Sequence, residues 1–574
     1  MIDVRRYLPF LLTMTACIGA LDASSTEESP PLNSPPSADG GGAASPPSRP
    51  VDREPRPSPP PEIPQPQVFR IPNAVYRNAV VDVLGLEPAV AAQLPLPTDG
   101  TVFGFTNHND LDPSGSRAQT YTDLAEMVSE LAVADGRLAA ETLDGCSQTC
   151  LPLFVDRAAR QLFGRPVPEE EVQAMTQLAY SLRDTMPETN GVVSRNIRLA
   201  LTIILQSPHF LFRLETDGPA ASTDDLDQVR RTGPEVARAL ASSLWMSVPD
   251  EALVKAAETG ELDDDAGVAR QVDRMVESPK FRRALLDFVA HTLHTEKFAD
   301  IVRRDEDISP QTRRAWADEV ARFSEDVLYD RDGRFEDLLL ARHTYVNEHN
   351  APSYGLEVSG EEFQRVELDD RYSGLLTMSG WLALEANPSE TDPIVRGAGI
   401  MRNYLCLDLA PAELSEEDLA AFNGDTVRQR VENGTSKPSC QVCHAIINPL
   451  GFALEGFDEL GRPQTEDNGL PIDTTGSLTL FDGTQAELDG PRSVAELIMD
   501  SPSGKTCFAT RLLAHARGYP PHERDPLLLE LVEEVRSSPV KDLLARVAKS
   551  LGTRSLASDR GRASDEGLDP PECR

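Results

Sequence analysis

The 574-residue chain has few basic residues: 55 Lys and Arg stand against 93 Asp and Glu, which gives a formal net charge of −38. Aromatic residues make up only 6% of the chain. A strongly acidic protein repels nucleic-acid phosphates and anionic lipid headgroups, and this one has few rings to stack on bases. The composition therefore argues against nucleic-acid binding and against adhesion to a membrane by charge.

The chain also lacks a run of about 18 apolar residues, so the sequence predicts no transmembrane helix. No nucleophile elbow, P-loop or dinucleotide-binding fingerprint is present, so nothing indicates a hydrolase or a nucleotide-dependent enzyme. Hydrophobic residues still make up 40% of the chain, which is enough to build a core. At roughly 150 residues per domain, the length suggests about three or four structural units.

The first 23 residues have the pattern of an export signal, with Arg5 and Arg6 before the apolar stretch Tyr7–Ala16 and then small residues. The stretch Met-Thr-Ala-Cys that ends at Cys17 is similar to a lipoprotein signal-peptidase site and predicts lipidation of Cys17. Cleavage after residue 20 or 23 is the alternative and gives a soluble exported protein. Either interpretation places the folded part outside the cytoplasm, as a periplasmic protein or an outer-membrane lipoprotein.

Residues 24–66 are rich in Pro, Ser and Gly and predict a disordered tether, because they cannot bury enough apolar surface to offset the loss of chain entropy. A tether behind a lipidated Cys17 would hold the folded body away from the membrane. The lipid anchor would then be the protein's only membrane contact. An exported protein can carry both disulfides and covalently bound haem.

From residue 67 onward, apolar residues recur with the period of an α-helix, and strand signals are short and few. The sequence thus predicts a mainly α, multidomain protein, with helices at Val192–Leu205 and Gln311–Leu328 among others. The predicted segments are helical domains at 67–145, 146–218 and 219–368, a motif-bearing domain at 369–482, a C-terminal helical domain at 483–552 and a disordered tail at 553–574.

A Cys-x-x-Cys-His motif occupies Cys440, Cys443 and His444. This is the attachment signature of a c-type haem: two thiols one helical turn apart bond the haem vinyl groups, and the adjacent imidazole binds the iron. A disulfide within the motif and a zinc site with a fourth ligand such as Cys406 are the alternatives. Haem c is the expected cofactor, since haem attachment is the usual fate of this motif in exported proteins.

The opposite axial ligand is less well marked. Met499 is the first candidate, and His515 is the second. A Met ligand would raise the reduction potential relative to His, whereas an open position would admit small molecules.

Other polar residues are interpreted as structural. Glu455 and Asp458 are predicted to cap a helix or to form salt bridges. His291 and His294 lack an evident third metal ligand. His343 is predicted to lie exposed in a polar loop.

The stretch from Cys440 to Asp473, CQVCHAIINPLGFALEGFDELG followed by NGLPID, resembles the planctomycete and myxobacterial multidomain cytochrome-like proteins, which are built from domains of unknown function. Arg70–Gly85, SPHFLFRLE at Ser207–Glu215 and VARALASSLW at Val236–Trp245 resemble successive domains of the same family. The likeness covers roughly residues 70–550 and implies an exported protein that binds haem c, but no settled activity. Asn448 departs from the family pattern, which usually has Asp at this position.

The resemblance also implies roles for other cysteines. Cys406 and Cys507 stand at positions that look cysteine-bearing in myxobacterial relatives, where a bond would join the ends of the haem domain. Cys146 and Cys150 could close a small disulfide loop. Cys573 has no predicted partner.

Taken together, the sequence predicts an exported, membrane-tethered c-type haem protein for electron transfer, with an unknown redox partner. The alternatives are a haem-dependent oxidoreductase with an unknown substrate and a non-haem surface interaction protein. Whether the protein is an enzyme stays open at this point.

Overall fold

The computed structural model describes residues 67–101, 104–106, 115–134, 150–183, 192–215, 228–304, 306–407 and 415–555. The predicted export signal, Cys17, the tether, Cys146 and Cys573 lie outside these ranges. All described residues belong to one compact unit.

The described chain is mainly helical, as predicted. Its α-helices are α1 Asn73–Leu84, α2 Pro88–Ala92, α3 Gly115–Ala134, α4 Leu151–Phe163, α5 Glu169–Leu182, α6 Val192–Leu205, α7 Pro208–Leu211, α8 Gly233–Trp245, α9 Glu251–Glu258, α10 Asp265–Val276, α11 Arg282–Leu293, α12 Pro310–Ser324, α13 Phe335–Leu340, α14 Ser379–Leu384, α15 Pro393–Tyr404, α16 Glu416–Ala421, α17 Val427–Gly434, α18 Pro438–Phe452, α19 Gly490–Asp500, α20 Pro502–Arg517, α21 Pro526–Glu534 and α22 Val540–Lys549. A π-helical stretch, Glu325–Asp330, follows α12.

The strands are short and form two-stranded antiparallel ribbons in the described ranges. β1 Gln67–Arg70 pairs with β2 Phe212–Glu215, and β3 Gln228–Arg230 pairs with β10 Thr553–Ser555. The other pairs are local: β4 His343–Val346 with β5 Gln364–Glu367, β6 Glu466–Asp467 with β7 Leu470–Pro471, and β8 Thr475–Thr479 with β9 Gln485–Asp489. The first two ribbons join segments that are far apart in sequence.

Helix ends follow ordinary capping chemistry. α1 stops at Gly85, whose φ of 72° is the left-handed conformation that glycine adopts without a Cβ clash. α8 begins with a capping box in which Thr232 and Glu235 satisfy each other's backbone N–H groups. Buried side chains of α8, α10, α11, α12, α15, α18 and α20 share one hydrophobic core. No helix in the described ranges is long and apolar enough to cross a membrane.

The prediction for His343 is wrong. The residue lies in β4, is only 9% exposed, and its Nε2 is 2.8 Å from Asp326 Oδ2. The reason is tertiary: the β4–β5 ribbon packs on α12, which places the imidazole beside Phe323 and against the π-helical stretch that carries Asp326. A polar local sequence gave no sign of this partner.

Candidate functional site

The Cys-x-x-Cys-His motif lies in the first turns of α18, which starts with Pro438, a residue whose fixed φ suits the first helical position. Cys440 is a half-buried free thiol, whereas Cys443 is only 6% exposed and is disulfide-bonded. The two sulfurs are therefore not joined to each other, and the predicted alternative of a disulfide within the motif is not formed.

Hydrogen bonds fix which nitrogen of His444 carries the proton. The Thr435 hydroxyl lies 2.7 Å from the Val431 carbonyl, which only accepts, so Thr435 donates there. Thr435 Oγ1 then accepts from Asn448 Nδ2 at 2.8 Å, which turns Asn448 Oδ1 toward His444. That oxygen lies 2.8 Å from His444 Nδ1, so Nδ1 donates. In the neutral imidazole, His444 Nε2 then has the lone pair that binds a metal.

This hydrogen-bond chain, Thr435–Asn448–His444, joins α18 to the end of α17. Sequence reasoning noted Asn448 only as a departure from a family pattern and missed its contact. The available signal was spacing, because residues four apart on a helix lie one above the other. Thr435 could not be found in this way, since it belongs to the preceding helix.

α18 packs closely against α15. A Cβ on Gly397 would lie 2.1 Å from the Ile447 carbonyl oxygen, and a Cβ on Gly451 would lie 1.9 Å from the Pro393 carbonyl oxygen. Larger residues at these two glycines would push the helices apart. The motif thus stands on a backbone that its neighbour holds in place.

The apolar residues after the motif fill the protein core. Leu450, Leu454 and Phe457 are each at most 1% exposed and join the main hydrophobic core. Phe452 packs in a small separate cluster with Val427 and Val431, and Arg428 lies over its ring at 4.4 Å. These side chains anchor the C-terminal end of α18 in the protein core.

The turn after α18 is held by Arg396 of α15, which is fully buried. Its guanidinium donates to the carbonyl oxygens of Phe457 at 2.7 Å, Asp458 at 2.5 Å and Leu454 at 3.1 Å. Arg396 Nη1 also lies 3.7 Å from Glu455 Oε1. Sequence reasoning did not assign this role to Arg396.

Glu455 and Asp458 serve structural roles, as predicted. Glu455 accepts from the Thr391 hydroxyl at 2.6 Å, and burial raises its pKa to about 7 although Arg396 and Thr391 oppose that shift. Asp458 accepts from the backbone N–H groups of Leu460 and Arg462 and pairs with the Arg462 guanidinium at 2.6 Å.

The candidate distal ligands lie on other helices. Met499 is 3% exposed in α19, which packs mainly against α13, α20 and β9, whereas α18 packs mainly against α15, α17 and β8. His515 of α20 is 1% exposed, and its Nε2 lies 3.0 Å from Asp287 Oδ2. The structure does not bring Met499 into the packing around the motif helix, so its role stays a prediction.

Asp287 also holds His291, whose Nδ1 lies 3.2 Å from Asp287 Oδ2. Burial lowers the pKa of His291, but the Asp287 carboxylate outweighs it and raises that pKa to about 9; the pKa of Asp287 is correspondingly lowered. Asp287, His291 and His515 thus form an ion-pair cluster.

Within the described residues no group of three or more His, Cys, Asp or Glu side chains could hold a metal ion, so the zinc alternative at the motif has no fourth ligand there.

The outer side of the motif is only partly covered. Val442 of α18 is 59% exposed and Leu419 of the nearby α16 is 58% exposed. Lys437, at the start of α18, pairs with Asp418 of α16, yet α16 buries none of its side chains. Because α16 has no buried face, the apolar side chains of Val442 and Leu419 stay exposed near the Cys440 thiol. This apolar surface is open to a group bound at the motif.

The predicted bond between Cys406 and Cys507 is confirmed, with the sulfurs 2.07 Å apart. It joins the end of α15 to α20. Cys150 is also disulfide-bonded, but Cys146 lies outside the described residues, so that pair stays a prediction.

Four models of planctomycete protein domains match the chain: PSD3, protein of unknown function DUF1587, at residues 70–134; PSD5, DUF1595, at 150–215; PSD4, DUF1592, at 232–356; and PSCyt3, DUF1588, at 372–467. Together they span most of the chain. The chain belongs to the multidomain planctomycete family that carries these domains. No curated protein and no solved structure is significantly similar to it.

In this family member the PSCyt3 domain contains α18, the whole motif and the Thr435–Asn448–His444 chain. The residues fit a c-type haem in two respects: His444 offers a lone pair at Nε2, and Cys440 offers a free thiol. Cys443 fits only as a thiol, because the sulfur of a disulfide cannot form a thioether. Haem attachment at Cys443 and its disulfide are therefore mutually exclusive.

Proposed function

We propose that the protein is an exported c-type haem protein for electron transfer, with Cys440 and Cys443 as the covalent attachment points and His444 Nε2 as the iron ligand. The observation that carries the proposal is the chain of hydrogen bonds from Thr435 through Asn448, which leaves His444 Nε2 as an acceptor beside a Cys-x-x-Cys motif. The PSCyt3 domain, whose name refers to a cytochrome, supports it.

Bound haem would supply one-electron redox chemistry. The protein's own contribution is positional. Asn448 orients the imidazole and keeps its Nδ1 protonated, and Arg396 holds the turn after α18 by binding three carbonyl oxygens. Second-shell partners of this kind fix ligand orientation and tune ligand basicity.

Absorption spectroscopy of the exported full-length protein tests the proposal, with production in a host that attaches haem to exported cytochromes. We expect a Soret band and haem staining that survives a denaturing gel. His444→Ala should change the spectrum, whereas His522→Ala, at an exposed histidine, should not. A protein without haem under these conditions would contradict the proposal. A low-spin spectrum that carbon monoxide does not change supports electron transfer. A spectrum that carbon monoxide changes supports the oxidoreductase alternative.

The role of Asn448 has its own test. Asn448→Asp places a carboxylate at His444 Nδ1, makes the imidazole a stronger donor and should lower the reduction potential. Asn448→Leu removes the acceptor and should broaden or shift the spectrum while covalent haem is retained. Equal potentials in all three proteins would show that Asn448 does not position the ligand.

The disulfide at Cys443 favours a second function, a non-haem surface interaction protein in which Cys443 is structural. A variant that lacks the Cys443 sulfur distinguishes the two functions. A Cys443→Ser variant that keeps its fold and loses covalent haem supports the first function. A variant that loses its fold while the parent protein never carries haem supports the second.

We also propose that lipidated Cys17 tethers the protein to a membrane, by way of the proline-rich segment 24–66. Cys17→Ser should move the protein from the membrane fraction to the soluble exported fraction. Unchanged fractionation would contradict lipidation and leave cleavage after residue 20 or 23. The redox partner is unidentified, and the acidic composition disfavours nucleic acid as a partner.

A further inference from the structure

A cavity lies where the β1–β2 ribbon meets α8, far from the Cys-x-x-Cys-His motif in sequence. The cavity has a volume of about 20 Å³, and one water molecule needs roughly 10–15 Å³. Its lining has two chemical parts: arginines with two serines, and an apolar wall made of Phe69, Ile71, Pro72, Val75, Val248 and Pro249.

Arg213 is one of the three arginines that line this cavity. It is only 8% exposed, and its Nε has no hydrogen-bond partner in the described ranges. Glu215 Oε1 lies 3.3 Å from Nε, but the other oxygen of that carboxylate is taken by Arg231 at 2.9 Å. The Arg213 guanidinium also lies over the Phe69 ring, with Cζ 4.5 Å from the centroid. A buried guanidinium whose one described ion pair is long and shared has donor capacity left for a further acceptor.

Arg238 adds a second positive charge to the same cavity. It donates to the carbonyl oxygens of Phe163, His209 and Phe210, which satisfy its N–H groups without neutralising it. It forms no ion pair with a carboxylate in the described part of the chain. Burial, together with the charges of Arg213 and Arg165, lowers the pKa of Arg238 to about 9.

The charges do not balance locally. Arg70 is matched by Asp99 at 2.6 Å, and Arg213 and Arg231 share Glu215, while Arg238 has no described acid. In the described residues, three arginines line the cavity, and their paired carboxylates are Asp99 and Glu215, the latter shared with Arg231. Asp82 accepts from the lining Ser247 at 2.8 Å but is itself paired with Lys280 and Arg283. A local excess of buried positive charge attracts an anion.

We propose that this cavity binds a short aliphatic carboxylate, with its oxygens on Arg213 and its carbon atoms against the apolar wall. An arginine fork matches the two oxygens of a carboxylate. The apolar wall suits the hydrocarbon part of a carboxylate and offers no partner to the remaining oxygens of a tetrahedral anion. Ser242 and Ser247 also line the cavity beside Arg238. The site is independent of haem, so its failure would leave the proposed function untouched.

The direct test is ¹³C NMR of labelled formate and acetate with the full-length protein. We expect both resonances to broaden on addition of the parent protein and sharpen again with excess unlabelled acetate. No broadening would overturn the proposal. Broadening that sodium chloride abolishes at equal ionic strength, while acetate does not, would assign the cavity to a halide and also overturn it.

Variants locate the binding. Arg213→Lys keeps a positive charge but loses the fork, so its apparent affinity for formate should fall by about tenfold or more. Arg270→Gln, at an arginine whose side chain is 61% exposed, is the matched control and should bind as the parent protein does. Thermal melting in formate gives a second readout, since a ligand that binds only the folded protein raises Tm. Equal Tm increases in the Arg213→Lys variant and the parent protein would place binding elsewhere.

Discussion

Replacing Arg396 by methionine removes the guanidinium that holds the turn after α18, the motif helix. Arg396 is fully buried and donates to the carbonyl oxygens of Leu454, Phe457 and Asp458. Leu454 and Asp458 keep a second donor, because the N–H groups of Phe457 and Gly461 also reach their oxygens. The Phe457 oxygen loses its guanidinium donor, and Glu455 loses its nearby positive charge.

The expected cost follows from these partners. A buried carbonyl without a donor costs about 1–3 kcal/mol, and removing one member of a buried ion pair costs about 3–5 kcal/mol. Glu455 limits the second cost, because burial already raises its pKa to about 7 and it can become neutral. Methionine also avoids the desolvation of a guanidinium. We therefore expect Arg396→Met to lower the free energy of unfolding by about 2–4 kcal/mol.

Urea unfolding followed by tryptophan fluorescence measures this loss, and hydrogen exchange of residues 453–464 shows whether the turn opens locally. Arg492→Met is the matched control. Its side chain is 50% exposed and pairs with the exposed Glu496, so we expect a loss of at most about 0.5 kcal/mol. A loss below about 1 kcal/mol in Arg396→Met, with unchanged exchange in the turn, would refute the reasoning.

Three further predictions concern stability. Burial outweighs hydrogen bonds from Thr344, Tyr354 and Asn350 and raises the pKa of Glu319 from 4.5 to about 7. Its stabilising effect is therefore complete below pH 4.5 and is lost as the pH rises toward 7, and Glu319→Gln should flatten the decline of Tm over this window. Asp287 raises the pKa of His291 from 6.5 to about 9, so the gain from this pair is lost as the pH rises through 9; Asp287→Asn should lower Tm at pH 6.5 more than at pH 10, and an equal loss at both would contradict the pairing. The Cys406→Ala, Cys507→Ala double variant opens a loop with a sequence separation of 101 and should lose about 4–5 kcal/mol in urea unfolding of the haem-free protein. In the same haem-free protein Cys440→Ala, at a free thiol, should lose far less.

Local pattern was enough to predict much of the fold. Val192–Leu205 has the predicted bounds, because its apolar face and the following Ser-Pro define it within the sequence. The helix predicted from residue 311 to 328 begins at Pro310 but changes to a π-helix at Glu325. That change is coupled to long-range packing, since Asp326 in this stretch binds His343 of β4.

The site was predicted only in part, for the same reason. The motif residues and their helical spacing are local, and the sequence identified them. The role of Asn448 depends on Thr435 in another helix, and that of Arg396 depends on carbonyl oxygens about 60 residues away. The sequence also contained no sign of the cavity at Arg213, which requires the pairing of β1 with β2.

Mass spectrometry of the peptide containing Cys440, Cys443 and His444 tests the central claim most directly. The peptide should come from exported full-length protein made in a host that attaches haem, and it should be analysed with and without reduction. The proposed function predicts a peptide heavier by one haem, whose mass reduction does not change and whose Cys440 and Cys443 both resist alkylation. A haem-free peptide in which Cys443 becomes alkylated only after reduction would contradict it and show the disulfide to be the protein's working state.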